Sequence, residues 1–292
     1  MPDCFGSIVA ENNGLKVLDC VACGYAHLAP KPSAAEVDAY YTSDQFYSTH
    51  SPADWFEREY KEHRQGLWSS YYTWESWQFP RGCAITDIGA GCGWFGMQIG
   101  QYRNLVYSVE PSESARLYGI THGARHMHRT LAEVKKVQPP WSDNSVRARL
   151  VLEHLVDPGG FLDKCMEFTG PEGVLEIAVP AEFNPLQARM RTVHGDWFVQ
   201  QPHINYFTDK SLAGLLRRHS WQVIKVGATY PIELNWHLGD RYIGDDNMGH
   251  RLHLQRLDLE KKVGPRIFNV YARLHKWFGW GREIMIFARR NQ

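Results

Sequence analysis

The sequence predicts an α/β protein whose core is a mainly parallel β-sheet. After Arg81, strand-like apolar segments alternate with helix-like segments, which is the order typical of a parallel sheet covered by helices. The first predicted strand runs directly into a glycine-rich loop, DIGAGCGWFG, at residues 87–96. The chain has 292 residues, 43% of them hydrophobic, which is ample for a buried core.

Seven segments in this part of the chain have the apolar, β-branched composition of strands. We predict strands at 83–89, 105–110, 126–128, 145–152, 173–180, 221–227 and 282–289. The clearest helices between them are FLDKCMEF and TDKSLAGLLRRH, and Thr208 is the predicted N-cap of the second.

Changes in composition predict three regions. Residues 1–32 form a cysteine-containing leader that ends in LAPKPS, whose prolines favour an extended exit. Residues 33–80 are rich in aromatic side chains and begin with a capping box of Ser33 and Glu36. We expect helices there that pack on the next domain, cover a ligand cleft, or do both. Residues 81–292 form the main domain.

Composition argues against several classes of function. The 32 basic and 32 acidic side chains give zero formal net charge, so no global field attracts the protein to nucleic acid. No segment has the roughly 18 uninterrupted apolar residues of a membrane span, and the first residues lack the pattern of a signal peptide. We therefore expect a cytoplasmic protein whose six cysteines are thiols or metal ligands.

The leader contains a candidate zinc site. Cys20 and Cys23 form a C-x-x-C pair, Cys4 lies sixteen residues before Cys20, and His27 follows as a fourth ligand. Three thiolates and one imidazole are a common tetrahedral zinc set. The alternative is a leader with free thiols, and in either case we expect no catalytic role for the metal.

Two carboxylates indicate what the glycine-rich loop binds. Gly91, Gly93 and Gly96 match the dinucleotide spacing G-x-G-x-x-G, which many loops share. Asp87 lies at the mouth of the loop, where it would repel a diphosphate and attract an ammonium or sulfonium group. Glu110 ends the next strand, where a carboxylate accepts hydrogen bonds from a ribose. Together these residues predict a pocket for S-adenosylmethionine.

On these residues the chain resembles the class I S-adenosylmethionine-dependent methyltransferases. DIGAGCG is similar to their motif I, and VEPS to the end of their second strand. LVLEHLVDPGGFL (150–162) and HINYFT (203–208) resemble signatures of a branch that often acts on sugars and polysaccharide precursors, and some relatives have a similar cysteine-containing leader. The resemblance implies a Rossmann-like sheet of seven strands with an antiparallel last strand. Asn144 and Arg147 depart from the fourth-strand pattern, which we interpret as adaptation to a sheet edge.

The resemblance also implies roles for individual residues. Asp87 would hold the methionine amino group of the cofactor, and Glu110 would hold its ribose. Thr130 and Leu131 occupy the stretch that flanks the adenine. Close backbone approach of the cofactor is implied at Gly89, Gly91 and Gly93.

Methyl transfer to a hydroxyl requires that a proton leave, and a histidine suits that task. His203 lies on a loop at the carboxyl edge of the predicted sheet, where open α/β folds build their sites, and is the candidate general base. His154 and Glu153 are expected to shape the pocket and to contact cofactor or substrate. Tyr206 is expected to pack or to line the acceptor pocket. The alternative for either histidine is a structural hydrogen bond.

An insertion at 229–281 separates the last two predicted strands and is far longer than an ordinary loop. Its polar, glycine-punctuated part contains Arg241 and Tyr242, which we expect to close over a polar acceptor. Later in the insertion, helical spacing predicts a packing face or a homodimer surface formed by Ile267, Tyr271, Leu274 and Phe278.

The leading interpretation is O-methylation of a sugar, glycan or nucleotide-sugar precursor. Relatives that methylate a sugar carbon carry a glutamate directly before the histidine, whereas His203 here follows Gln-Gln-Pro. The alternatives are N- or C-methylation of another small molecule, a catalytically silent cofactor-binding scaffold, and a nicotinamide-dependent oxidoreductase, which Asp87 disfavours.

Overall fold

A computed structural model describes residues 3–43, 47, 52–100 and 103–291 of the chain. The strands are β1 (Gly6–Asn12), β2 (Leu15–Cys20), β3 (Tyr25–Leu28), β4 (Ala84–Ile88), β5 (Leu105–Val109), β6 (Met127–His128), β7 (Ser145–Arg149), β8 (Leu175–Pro180), β9 (Asn205–Tyr206), β10 (Trp221–Ala228) and β11 (Glu283–Arg290). The helices are α1 (Ala34–Thr42), α2 (Pro52–Arg64), α3 (Ser69–Ser76), α4 (Trp94–Ile99), α5 (Glu113–Thr121), α6 (Leu131–Val137), α7 (Pro158–Met166), α8 (Gln187–His194), α9 (Asp209–Arg218), α10 (Glu233–His237) and α11 (Asp246–Phe278).

The main sheet has seven strands in the order β10-β11-β8-β7-β4-β5-β6. The pairs β4–β5, β4–β7, β5–β6 and β7–β8 are parallel. β11 is antiparallel to both of its neighbours, β8 and β10. The predicted seven-stranded sheet with an antiparallel last strand is therefore confirmed.

Both faces of this sheet are buried, which explains its continuously apolar strands. One face packs with α7 and α9 around Leu162, Leu215 and Trp221. The other packs with α3 and α11 around Trp74 and Phe268. The N-cap predicted for α9 is confirmed, because the Thr208 side chain accepts a hydrogen bond from the Ser211 N–H. None of the helices in the described ranges is long and apolar enough to cross a bilayer.

The leader forms a second, four-stranded sheet in the order β1-β2-β3-β9. Its last strand comes from the main domain. This strand, β9, begins two residues after His203 and pairs with β3, with His27 opposite Asn205 and Ala26 opposite Tyr206. The leader strands were not predicted from the sequence. Through this pairing the leader holds the loop that carries His203.

Two expectations about the sheet and the insertion are wrong. Arg147 does not adapt a sheet edge, because β7 is a central strand between β4 and β8. The stripe is not a packing face of the domain, because Ile267, Leu274 and Phe278 face solvent, whereas the homodimer alternative stays a prediction. The face of α11 that packs on the domain is instead shifted by one residue and is centred on Phe268.

Candidate active site

A cavity of about 640 Å³ opens at the carboxyl ends of the central parallel strands. The loops after β4, β5 and β7 line it, and α1 forms a further wall. The lining residues used below are Val37, Asp38, Tyr41, Gly89, Glu110, Val151, His154 and Phe161. The size suits a ligand the size of a nucleoside derivative, and the position is where open α/β sheets bind ligands.

The glycine-rich loop is shaped so that the backbone, without side chains, borders the cavity. Gly89 has φ of 69°, and a Cβ there would lie 2.5 Å from Cγ2 of Val151. The Gly89 N–H donates to the Val109 carbonyl at 2.8 Å, which ties the loop to the end of β5. Only glycine fits this combination of positive φ and close approach. Cys92, in the same loop, is buried and lies behind it against Gly119 of α5.

Glu110 is held over the loop by backbone hydrogen bonds. Its Oε2 accepts from the Gly91 N–H at 2.9 Å, and its Oε1 accepts from the Ser112 N–H at 3.0 Å. A carboxylate has about four acceptor positions, so each oxygen can accept a further bond from a ligand. The carboxylate is thereby fixed at the cavity wall, in the place expected for a ribose-binding group.

Asp87 is buried within the sheet and pairs with an arginine. Its Oδ1 accepts a hydrogen bond from the Arg147 guanidinium at 2.8 Å, and that guanidinium also lies 3.1 Å from Glu75 and 3.9 Å from Glu176. Burial and the neighbouring Glu75 raise the pKa of Glu176. Because Arg147 already pairs with Asp87, the charge of the Asp87 carboxylate alone does not select a sulfonium over a diphosphate. Its predicted contact with the cofactor amino group stays a prediction.

Four ionisable side chains meet beside the cavity wall at His154. Oε1 of Glu182 accepts a hydrogen bond from His203 Nδ1 at 2.5 Å, and the His203 and His154 rings lie 5.0 Å apart between centroids. Nδ1 of His154 donates to the Pro202 carbonyl at 3.2 Å, and its Nε2 lies 3.6 Å from Oε1 of Glu153. The two histidines predicted for the site are therefore brought together, with two carboxylates around them.

The environment separates the protonation states of these groups. Burial disfavours charge on His203, but the Glu182 carboxylate outweighs it and raises the His203 pKa to about 9. Burial lowers the pKa of His154 to about 3, and burial raises the pKa of Glu153 to about 8. At neutral pH the cluster thus holds one ion pair, His203 with Glu182, next to a neutral His154 and a protonated Glu153.

A metal ion is a second candidate occupant of this cluster. One ligating atom each from Glu153, His154 and His203 lies within 4.8 Å of the other two. A cation there would have to displace the protons on His203 and Glu153, since ligands bind deprotonated. The ion pair satisfies the charges without a metal, so we interpret the group as an acid–base cluster.

Five other predicted residues lie elsewhere. Thr130 caps α6 by accepting from the Glu133 N–H, and Leu131 packs against the core. Tyr206 is buried among Phe183 and Phe198, and its hydroxyl donates to the His203 carbonyl at 3.4 Å. The remaining two are in the insertion, where the Arg241 guanidinium stacks 3.8 Å over the Trp236 ring and Tyr242 is half-buried. The adenine and acceptor contacts assigned to these residues stay predictions.

The four predicted zinc ligands converge in the leader. The ligating atoms of Cys4, Cys20, Cys23 and His27 all lie within 4.8 Å of one another. His27 is buried, its Nδ1 donates to the Leu28 carbonyl at 2.8 Å, and its Nε2 has no hydrogen-bond partner among the described residues. An imidazole whose Nδ1 is fixed by a backbone carbonyl and whose Nε2 is unpaired fits a metal ligand.

Sequence reasoning missed Glu182, and it predicted a helical cover over a ligand cleft in 33–80 without identifying the α1 residues that line the cavity. Glu182 lies 21 residues before His203, so no local motif links them. The available signal was its position two residues after the end of β8, at the same sheet edge as Glu110. Val37, Asp38 and Tyr41 of α1 line the cavity, and the aromatic composition of this region gave no residue-level signal.

Comparisons with known proteins agree with this architecture. A family model described as a methyltransferase domain matches residues 60–226, more than half of the chain. An S-adenosylmethionine-dependent methyltransferase of Thermotoga maritima has a similar structure, with 16% identity, a TM-score of 0.52, and coverage of 86% of this chain and 100% of that one. Magnesium protoporphyrin IX methyltransferase of Synechocystis PCC 6803, solved with S-adenosylhomocysteine, has 12% identity, a TM-score of 0.51, and coverage of 89% and 100%. No protein of curated function matches the sequence.

The family match, together with the fold, defines an enzyme of the class I S-adenosylmethionine-dependent methyltransferases. The two structural neighbours show the shared fold alone, since their identities are low. The chain belongs to the methyltransferase-domain family that matches residues 60–226.

Proposed function

We propose that the protein methylates a hydroxyl group of a sugar, glycan or nucleotide-sugar precursor in the cytoplasm. The observation that supports this best is the Glu182–His203 pair beside the cavity. An alcohol is a weak acid, and a base whose pKa is raised removes its proton more readily than an ordinary histidine does. The sugar-acting signatures quoted above support the class of acceptor.

The cavity offers the contacts that an adenosyl amino acid needs. Bound S-adenosylmethionine supplies a methyl group activated by a positive sulfur. In this proposal Glu110 accepts hydrogen bonds from the ribose hydroxyls, and the loop at Gly89 lets the ligand lie against the backbone. Tyr41 and Phe161 provide aromatic walls of the cavity. These residues align the donor with the acceptor, and alignment supplies much of the rate of such a displacement.

The proton of the acceptor hydroxyl passes to Nε2 of His203 in this proposal. Glu182 holds the ring through Nδ1 and stabilises the imidazolium that forms. His154, which lines the cavity and whose ring lies 5.0 Å from that of His203, positions the acceptor while uncharged. Because His203 is mostly protonated at neutral pH, activity should rise as the pH approaches 9.

Carbon and nitrogen acceptors are the second candidates, and the contact between Glu182 and His203 is compatible with a carbon acceptor. The lack of a glutamate beside His203 in the sequence argued against a carbon acid, but Glu182 supplies a carboxylate at 2.5 Å. The absence of a neighbouring glutamate in the sequence therefore does not exclude a carbon acceptor, because a carboxylate reaches His203 from the end of β8.

The experiment is a transfer assay with S-adenosylmethionine carrying a ¹³C-methyl group and a panel of sugars, nucleotide sugars, amines and phenols. The ¹³C shift of the product distinguishes O-, N- and C-methyl groups. We expect an O-methyl product that His203→Gln suppresses while S-adenosylhomocysteine binding is retained. An N- or C-methyl product would overturn the proposed acceptor chemistry, and bound cofactor with no transfer to any acceptor would favour the silent scaffold.

We also propose that the leader binds one structural zinc ion through Cys4, Cys20, Cys23 and His27. The support is the convergence of four ligating atoms and the unpaired buried nitrogen of His27. Elemental analysis of purified protein should give one zinc per chain, and Cys20→Ser should lose it while Cys165→Ser, at a buried cysteine outside the leader, keeps it. Zinc-free wild-type protein that unfolds no differently after zinc addition would contradict the assignment.

A further inference from the structure

An exposed apolar stripe runs along the second half of α11. Helical spacing places Ile267, Val270, Leu274 and Trp277 on one face, with Phe278 at its edge. These side chains are between 47% and 81% exposed, Trp277 most of all. A continuous row of large apolar side chains in water marks an interaction surface.

The helix cannot bury this stripe by rotating, because its opposite face is already in the core. Phe268 is fully buried, and its ring lies 5.1 Å from Trp74 and 5.5 Å from Tyr71 between centroids. The Trp74 indole N–H also donates to Oδ1 of Asn269 at 3.0 Å. Turning the stripe inward would expose Phe268 and break this bond.

Basic side chains flank the stripe on one side. Arg266, Arg273 and Lys276 are exposed, and none has an ion-pair partner among the described residues. Six lysines and arginines and no aspartate or glutamate occur between Lys261 and Arg282. An apolar face with tryptophan and phenylalanine and a basic flank is the composition of helices that lie in a membrane interface.

Either a second copy of the chain or a membrane surface could cover the apolar stripe, and the charge of its basic flank distinguishes between them. A two-fold dimer would place the stripe against itself, and the basic row would find no acidic residue in 261–282 of the second copy to pair with. A membrane with anionic lipid offers hydrocarbon to the stripe and phosphate to the basic row. We propose that the second half of α11, residues 265–278, binds the surface of a membrane that contains anionic phospholipid.

The stripe ends close to the candidate active site. Phe278 precedes β11 by five residues, and Glu283 at the start of β11 pairs with Pro180 at the end of β8. Glu182, the partner of His203, follows two residues later. A protein bound through the stripe would therefore hold this edge of the sheet near the lipid, although surface binding itself does not depend on the identity of the acceptor.

The test is co-sedimentation of the full-length protein with vesicles. One set contains phosphatidylcholine with phosphatidylglycerol, and the other contains phosphatidylcholine alone. We expect binding to the first set, weakening as salt is added, and little binding to the second. Leu274→Gln combined with Trp277→Gln should weaken binding at least tenfold. Trp141→Gln, at another exposed tryptophan outside the insertion, should leave it unchanged.

A second variant tests the basic row without touching apolar packing. Replacing Arg266, Arg273 and Lys276 by glutamine should lower binding on the order of a hundredfold, since each basic side chain near an anionic surface contributes roughly fivefold. All variants are checked by circular dichroism, and this triple variant changes only exposed side chains.

Three results would overturn the proposal. The first is no binding to the anionic vesicles. The second is equal binding to both vesicle types, because charge would then play no part. The third is a dimer in lipid-free sedimentation velocity that the Leu274→Gln, Trp277→Gln variant dissociates, because the stripe would then belong to a second copy.

Discussion

The ion pair between His203 and Glu182 can be tested without knowing the acceptor, because removing the carboxylate should lower the pKa of His203. Glu182→Gln removes the negative charge 2.5 Å from His203 Nδ1 and keeps the size of the side chain. The raised His203 pKa of about 9, against 6.5 for an ordinary histidine, corresponds to about 3 kcal/mol of preference for the imidazolium. Without Glu182, burial and the weaker effect of Glu153 remain, and burial lowers the pKa. We therefore expect the pKa of His203 to be lower in Glu182→Gln than in wild type, by roughly two or more.

The assay is an NMR titration of the imidazole carbon-bound protons between pH 5 and 10. The chain has 14 histidines, so the His203 signal is assigned as the one missing from His203→Gln. Glu172→Gln, at an exposed glutamate, is the matched control and should leave the His203 titration unchanged. Wild-type His203 titrating near 6.5, or a Glu182→Gln variant that titrates like wild type, would refute the role given to this pair.

Three further predictions concern stability. Because the pKa of His203 is raised in the folded protein, its pairing with Glu182 adds stability that is complete below pH 6.5 and is lost as the pH rises through about 9. In urea denaturation, the free energy of unfolding of wild type should fall by up to about 3 kcal/mol more than that of His203→Gln over this range. Equal pH dependence of the two unfolding free energies would contradict the pairing. Gly89→Ala places a Cβ 2.5 Å from Val151 at φ of 69° and should cost about 1–3 kcal/mol and weaken S-adenosylhomocysteine binding. Gly249→Ala, in open space within α11, should stabilise the protein by about 0.5–1 kcal/mol and leave that binding unchanged. Arg147→Gln leaves Asp87 and Glu75 buried without their cation and should cost about 3–5 kcal/mol in thermal or urea unfolding; a cost no larger than that of the exposed Arg217→Gln would show that this network is not needed.

The sheet could be predicted from the sequence because its signals are local. Buried parallel strands are continuous apolar segments, and the positive φ angles of the loop at Gly89 require glycine in any protein. The start of β7 at Ser145 and of β5 at Leu105 agree with the sequence to the residue. The predicted β7 ends three residues too late, at 152 instead of Arg149. The apolar residues after Arg149 lead into the 3₁₀ turn Leu152–His154, which carries Glu153 and His154.

What the sequence could not predict depends on tertiary contacts. Leader strand β3 is completed by β9, a pairing between residues about 180 positions apart. Glu182 meets His203 because two chain segments end at the same sheet edge, and the spacing of 21 residues carries no pattern. Asp87 shows a different limit of the sequence, which placed this carboxylate before the loop but did not reveal its buried partner. Its charge is shared with Arg147, which only the register of β4 against β7 reveals.

The most direct test of the account is a crystal structure with S-adenosylhomocysteine. We predict the adenosyl group in the cavity between Tyr41 and the loop at Gly89, with the ribose hydroxyls bonded to Glu110 and the sulfur facing His154. Density for the ligand elsewhere, with this cavity closed or empty, would contradict the assignment of the cofactor site.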